Sequence, residues 1–225
     1  MESPEASNDP VIGARQLCSH WDRIYEDKAE QDVSWYAAHL AISVDLICRC
    51  IAGTSAAVID VGCGRASLLQ DLMALGYEDL TAVDISSVAI EFAKARLQSQ
   101  STVTQWLVAD VLSDEFPRNR YDIWHDRAVF HFLTASGDRQ TYIRRLKHSL
   151  RDHGYFIVGT FALNGPDRCS GLPTMRYSPS TLQDELGSAF KLKSHITDEH
   201  QTPSGMIQSF LYCVFEVVQT LPVSG

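Results

Sequence analysis

The sequence predicts one α/β domain built on a mostly parallel sheet with helices on both faces. Three observations carry that expectation. Short apolar runs at residues 57–60, 80–84, 103–108, 121–124 and 155–161 have strand length, and segments of helical apolar spacing separate them. That alternation is what βαβ units produce. The first run ends in Asp60 and turns at once through Gly62 and Gly64 into a helical pattern of Leu68, Leu69, Leu72 and Leu75. Glycines there let the backbone turn sharply and approach a ligand closely. Four successive runs close on acids, Asp60, Asp84, Asp110 and Asp126, a series that solubility alone does not explain.

The elements follow in chain order. Residues 1–12 are rich in Pro, Ser, Asn and acids with little to bury, so a disordered tail is expected. Residues 13–225 form the domain. Residues 15–26 carry Trp21 and Tyr25 on a helix or turn, Val33-Ser34-Trp35-Tyr36 follows, and Leu40, Ile42, Val44, Ile47 and Ile51 mark a helix. Residues 13–52 thus read as a helical cap ahead of the first strand. Ser86 caps a helix filled by Val88, Ile90, Phe92, Ala93 and Leu97. A helix over residues 139–150 leads to Gly154 and the fifth strand. Residues 163–179 hold two glycines and three prolines, and a loop of that length is often functional. A short helix over residues 180–186, capped near Ser178 or Ser180, precedes strands at 190–196 and 209–218 joined by a turn at 201–205.

Lysines and arginines number 19 against 28 aspartates and glutamates, a formal charge of −9. That disfavours nucleic acid and anionic membrane as partners. Six cysteines show no C-x-x-C pair and no zinc spacing, so no metal is expected. Cys48 and Cys213 fall in apolar patterns and read as small core residues. A reducing, cytoplasmic setting follows. The polar N-terminus is no signal peptide, and no apolar run approaches the ~18 residues of a membrane span.

The chemistry lies in the acid series. A carboxylate about 20 residues beyond a glycine turn, at the end of the second strand, can accept both hydroxyls of a ribose. In full, the pattern resembles the class I S-adenosylmethionine (SAM)-dependent methyltransferases. D-V-G-C-G looks like their first motif, V-D-I-S their second, and A-D-V their adenine-binding acid. The resemblance spans roughly residues 21–216. It implies a Rossmann-like three-layer sandwich whose mostly parallel, seven-stranded sheet has an antiparallel last strand. It also implies SAM as cofactor, with S-adenosylhomocysteine as product. Gly62 and Gly64 would approach the methionine and ribose, and Asp60 would position the amino end. Asp84 would bind the ribose hydroxyls beside Ile85, and Asp110 would accept from the adenine amine beside Val111. Ala66 at the third glycine position suits this family better than a binder of pyrophosphate.

His125-Asp126-Arg127 stands where the fourth strand leaves the sheet, with His131 one helical turn beyond Arg127. These four are the candidate catalytic group. His131 is the candidate base, because an ordinary imidazole titrates near pH 6.5. A buried ion pair between Asp126 and Arg127 fits the same residues. Trp35 would cover the cofactor, whose sulfonium favours aromatic faces, and Tyr36, Cys169, Arg176 and His200 would line the acceptor site. D-R-A-V replaces the N-P-P-Y tetrapeptide of many amino-group methyltransferases, which argues against nucleobase and glutamine amide acceptors. The expected activity is methyl transfer to a small-molecule N, O or S/chalcogen nucleophile by a monomer or homodimer. The alternatives are protein lysine N-methylation and a non-catalytic SAM-binding module. A nicotinamide-dependent reductase is disfavoured by Ala66, the acid series and the lack of a Tyr-x-x-x-Lys pair.

Overall fold

The computed structural model describes residues 13–97 and 104–218; the expected tail at 1–12 lies outside the described residues. The chain runs through α1 (Ala14–Asp27), α2 (Ala41–Cys50), β1 (Val58–Val61), α3 (Ser67–Ala74), β2 (Leu80–Asp84), α4 (Ser87–Leu97), β3 (Thr104–Val108) and β4 (Tyr121–Arg127). It continues through α5 (Ser136–Ser149), β5 (Leu150–Ala162), β6 (Arg168–Cys169), β7 (Leu172–Pro173), β8 (Arg176–Tyr177), α6 (Pro179–Leu186), β9 (Phe190–Gln201) and β10 (Ile207–Val217).

The main sheet has the order β3-β2-β1-β4-β5-β10-β9. Its first five strands are parallel, and β10 runs antiparallel to both neighbours. That is the expected seven-stranded architecture. Two residues of β8 add an eighth strand beside the end of β5, inside the segment expected to be a loop, and β6 and β7 form a separate small ribbon there.

Period-two alternation along buried strands divides the interior into two layers. Ile59, Trp124 and Phe156 face one side, with Tyr142 and Leu146 of α5 and Leu182 of α6. Val58, Ile123 and Ile157 face the other, with Ile47 of α2, Leu69 and Leu72 of α3 and Ile90 of α4. The glycine-loop helix α3 therefore lies on the same face as the N-terminal helices. Helix α1 docks against the start of α4, where Asp22 accepts from the Ser86 hydroxyl at 2.6 Å. Ser86 in turn accepts from the Ala89 amide at 3.1 Å, capping α4 as expected. Ser178 caps α6 by accepting from the Thr181 amide. No helix among the described residues is long and apolar enough to cross a membrane.

Three sequence expectations need correction. Strand β4 extends through Arg127, so the His-Asp-Arg triplet lies inside the strand. Cys48 is exposed, because α2 buries the stripe of Ser43, Leu46 and Ile47 and Cys48 falls outside it. Phe92 is 46% exposed and lies under the Arg65 guanidinium, 4.7 Å from its ring centre, rather than in the core.

Phe156 is fully buried and meets the rings of Phe130, Tyr142 and Phe215. Phe156→Ala should lower the unfolding free energy by about 3–5 kcal/mol in urea titration; a loss under ~1 kcal/mol would mean this layer is not close-packed.

Candidate functional site

The C-terminal ends of β1, β2 and β4 open onto one pocket. Its floor is the turn between β1 and α3. Gly62 and Gly64 take φ of +72° and +51°, a region that side chains disfavour. A Cβ on Gly62 would fall 2.1 Å from a Val129 methyl, and one on Gly64 would fall 2.9 Å from the Tyr25 hydroxyl. The amides of Gly62 and Cys63 donate to the Val83 carbonyl and tie the turn to β2.

Asp84 is the anchor of this end. Its two oxygens accept from the amides of Gly64 and Ser86, each at 2.9 Å, and each keeps a further lone pair. Burial raises its pKa to about 6, against the pull of those two amides. Asp110 accepts from the Leu112 amide at 2.9 Å and lines the pocket with Ile85, Val111 and Leu112.

Asp60 lies 2.7 Å from His125 Nδ1, and His125 Nε2 lies 2.9 Å from the Ser43 hydroxyl. A carboxylate only accepts, so Nδ1 donates to Asp60, and Nε2 pairs with the Ser43 hydroxyl. His125 therefore borders the pocket with both nitrogens engaged, bridging β1, β4 and α2. Asp126 points to the opposite layer, as its place between His125 and Arg127 in β4 requires. It accepts from the Val129 and Phe130 amides at 2.9 and 3.1 Å and from the Tyr142 hydroxyl at 2.5 Å. Burial raises it to about 6, opposed by the Tyr142 bond and these amides. It is outside the pocket lining, so it is a structural acceptor and not a group at the reacting end. Arg127 returns to the pocket side and makes no ion pair with Asp126. Its Nε donates to the Tyr212 hydroxyl at 2.9 Å, its Nη1 donates to the Trp35 carbonyl at 3.0 Å, and its guanidinium lies 4.9 Å from the Phe210 ring centre.

His131 follows β4 and reaches the same pocket. It is fully buried, stacks on Phe161 at 4.5 Å and meets Phe132 edge-on. Neither ring nitrogen has a hydrogen-bond partner. Burial, with Arg127 adding to it, lowers its pKa to about 3. The ordinary imidazole value on which the base assignment rests does not hold, and the ring is neutral near pH 7. Gln208 Oε1 is likewise buried without a partner in the pocket wall.

Cys169 lines the pocket, and burial raises its thiol pKa; Cys63 in the glycine turn is raised for the same reason, with Asp84 adding to it. Trp35 and Tyr36 also line the pocket, and Trp35 meets Trp21 and Tyr25 edge-on at 5.7 and 6.5 Å. Arg176 is exposed on β8 and outside the lining. His200 is outside it too, with Nε2 2.9 Å from the Ser34 carbonyl, so it supports the Trp35 segment from behind. No cluster of His, Cys, Asp and Glu suited to a metal occurs among the described residues.

Sequence reading missed Phe132, Phe161, Gln208 and Phe210 as pocket walls, and it placed the segment of Trp21 and Tyr25 over the cofactor without naming those two rings as walls. Gln208 and Phe210 sit at alternate positions of β10, so its strand periodicity is the signal that could have found them.

Asp126→Ala would leave a buried tyrosine hydroxyl and two amides without their acceptor. It should cost about 2–4 kcal/mol in chemical denaturation; a variant as stable as the parent would refute the structural role.

Residues 58–154 match the family model described as a methyltransferase domain. The bovine eEF1A lysine and N-terminal methyltransferase is 24% identical over 122 residues. That match covers 54% of this chain but only 17% of the bovine protein. Among solved structures, one from work on converting a disulfide bond into a thioacetal group during echinomycin biosynthesis superposes with TM-score 0.74 at 18% identity, covering 92% of this chain and 94% of that one. The Burkholderia thailandensis 1,6-didemethyltoxoflavin-N1-methyltransferase, with bound 1,6-didemethyltoxoflavin and S-adenosylhomocysteine, gives 0.71 at 18% identity, covering 97% and 99%.

Proposed function

We propose that the chain, whose residues 58–154 match a methyltransferase domain, is a class I SAM-dependent methyltransferase that transfers the methyl group of SAM to an N, O or S/chalcogen nucleophile of a small molecule. One observation carries this reading: a single pocket joins the glycine turn, Asp84 and Asp110 to an aromatic chamber around His131.

The residues suit SAM. Gly62 and Gly64 keep the floor free of side chains, and Asp84 retains lone pairs for two ribose hydroxyls. Ile85 and Val111 offer apolar walls for an adenine, and Asp110 an acceptor for its amine. Trp21, Tyr25 and Trp35 line the pocket and would offer aromatic walls to a sulfonium. When bound, SAM supplies an electrophilic methyl on a positive sulfur that leaves readily. The chain's part is to exclude water and hold the nucleophile in line. His125, clamped by Asp60 and Ser43, acts as a positioning residue. The cap at 13–52 and the segment at 163–179 contribute Trp35, Tyr36 and Cys169 to the chamber, which favours a compact acceptor. The neighbour with bound 1,6-didemethyltoxoflavin supports a small molecule by analogy of fold. A pocket that continues from the cofactor end to His131 and Phe161 speaks against a purely non-catalytic SAM-binding module.

Protein lysine N-methylation is the second reading, favoured by the name of the bovine relative. A screen of small thiols, phenols, amines and lysine peptides with labelled SAM separates the two; label on lysine peptides alone would overturn the first.

Cofactor binding should depend on pH through Asp84. Its folded pKa is raised to about 6, and ribose hydroxyls donate to the ionised form, so affinity is full above that value and falls below it. Between pH 7 and pH 5 the ionised fraction drops from about ten-elevenths to about one-eleventh, and the SAM dissociation constant should rise about tenfold. Asp84→Asn should weaken binding at pH 7 by at least about tenfold and flatten the profile. Calorimetry showing a flat wild-type profile would refute this.

A further inference from the structure

We infer that the acceptor reacts as an anion, a thiolate or an acidic phenol or enol oxygen on a compact apolar molecule, held by Arg127 and the N–H of His131. This rests on the methyltransferase reading and names the acceptor class of that same site.

The chamber's charge balance comes first. Arg127 is the cation beside His131, Arg65 being held at the glycine-turn end by the Tyr25 and Lys28 carbonyls, and none of the described carboxylates is paired with Arg127. Asp60 is engaged by His125, Asp126 faces the other layer, Asp84 and Asp110 lie at the cofactor end, and Glu30 pairs with Arg96. The other titratable groups near this end are Cys169, kept as a thiol by burial, and His200 behind Ser34, lowered by burial and by Arg127. Lys28 adds a second positive influence on Cys169. An ammonium entering here would lose its water and meet a guanidinium, which is the costly case. An anion would meet its complement.

The unpaired polar atoms come second. A buried imidazole with no partner on either nitrogen is rare. In the neutral ring one nitrogen is a donor, which an anionic sulfur or oxygen satisfies. Gln208 Oε1, also without a partner, asks for a donor elsewhere on the acceptor molecule. Base strength comes third. An imidazole with pKa about 3 cannot take a proton from an ammonium of ordinary pKa near ~10. A nucleophile that has already lost its proton to solvent needs no base.

The step then balances simply. A lone pair of the anion forms the bond to the methyl carbon as the methyl–sulfonium bond breaks, and the breaking pair stays on the cofactor sulfur as a neutral thioether. An anion and a cation become two neutral products, a change that low-dielectric walls of Phe132, Phe161 and Phe210 favour.

The test compares three compact nitroaryl probes on the full chain: 4-nitrothiophenol, 4-nitrophenol and 4-nitrobenzylamine. Binding is read by calorimetry with S-adenosylhomocysteine present, and methylated product by mass spectrometry with SAM. At pH 8 at least one of the two anionic probes should bind at least about tenfold tighter than the amine and alone be methylated. Which of the two does so separates sulfur from oxygen. Arg127→Met should remove that preference while S-adenosylhomocysteine binding persists, and Arg127→Lys should restore part of it. Equal or tighter binding of the amine to the wild type, or methylation of the amine alone, would overturn the inference. Failure to bind S-adenosylhomocysteine at all would instead overturn the methyltransferase reading beneath it.

Discussion

Three consecutive polar residues in a buried strand, His125, Asp126 and Arg127, constrain everything around the pocket. An extended chain sends neighbours to opposite faces, so the three cannot act as one group. Each anchors a different part of the molecule. His125 ties β1 and α2 together through Asp60 and Ser43, and Asp126 orients the turn that carries His131 through the Val129 and Phe130 amides. Arg127 pins Trp35 and Tyr212. Placing such groups in the interior is tolerable because His125 and Asp126 are engaged by their partners and Arg127 donates to two oxygens. The chamber's polar character is a by-product of that satisfaction, with His131 and Gln208 left over.

The N-terminal cap depends on the same logic at longer range. Arg65, from the glycine turn, donates to the carbonyls of Tyr25 and Lys28 at the end of α1. Asp22, in the middle of α1, accepts from the start of α4. The Tyr25 hydroxyl then sits where any side chain on Gly64 would be. Floor and roof of the pocket are therefore set by one another.

How much of this is legible in the sequence follows from distance along the chain. Asp84 is legible, because its partner Gly64 stands 20 residues earlier in a spacing that strand, turn and helix dictate. The mostly parallel, seven-stranded sheet with its antiparallel last strand is legible through the family resemblance and hydrophobic alternation. The partners of Arg127 are not, because Tyr212 lies 85 residues away and the Trp35 carbonyl 92, and nothing local points to either. The neutrality of His131 is invisible for a related reason. It arises from Phe161 and Phe132 closing over the ring, and burial of that kind belongs to the fold and not to the residues beside His131 in the sequence. Arg176 and His200 look like pocket residues in the sequence because they sit near the right strands, but β8 turns Arg176 to solvent and Ser34 stands in front of His200.

Cys63 and Cys169 both line the pocket, and burial holds both as thiols rather than thiolates. A sulfonium methyl donor is an alkylating agent, and the thiolate is the form of cysteine that it attacks. Two cysteines beside such a reagent would be targets for self-methylation if they ionised near neutrality. Enclosure in apolar surroundings keeps them protonated, so under the proposed function the chamber would hold two sulfurs that do not compete for the methyl group.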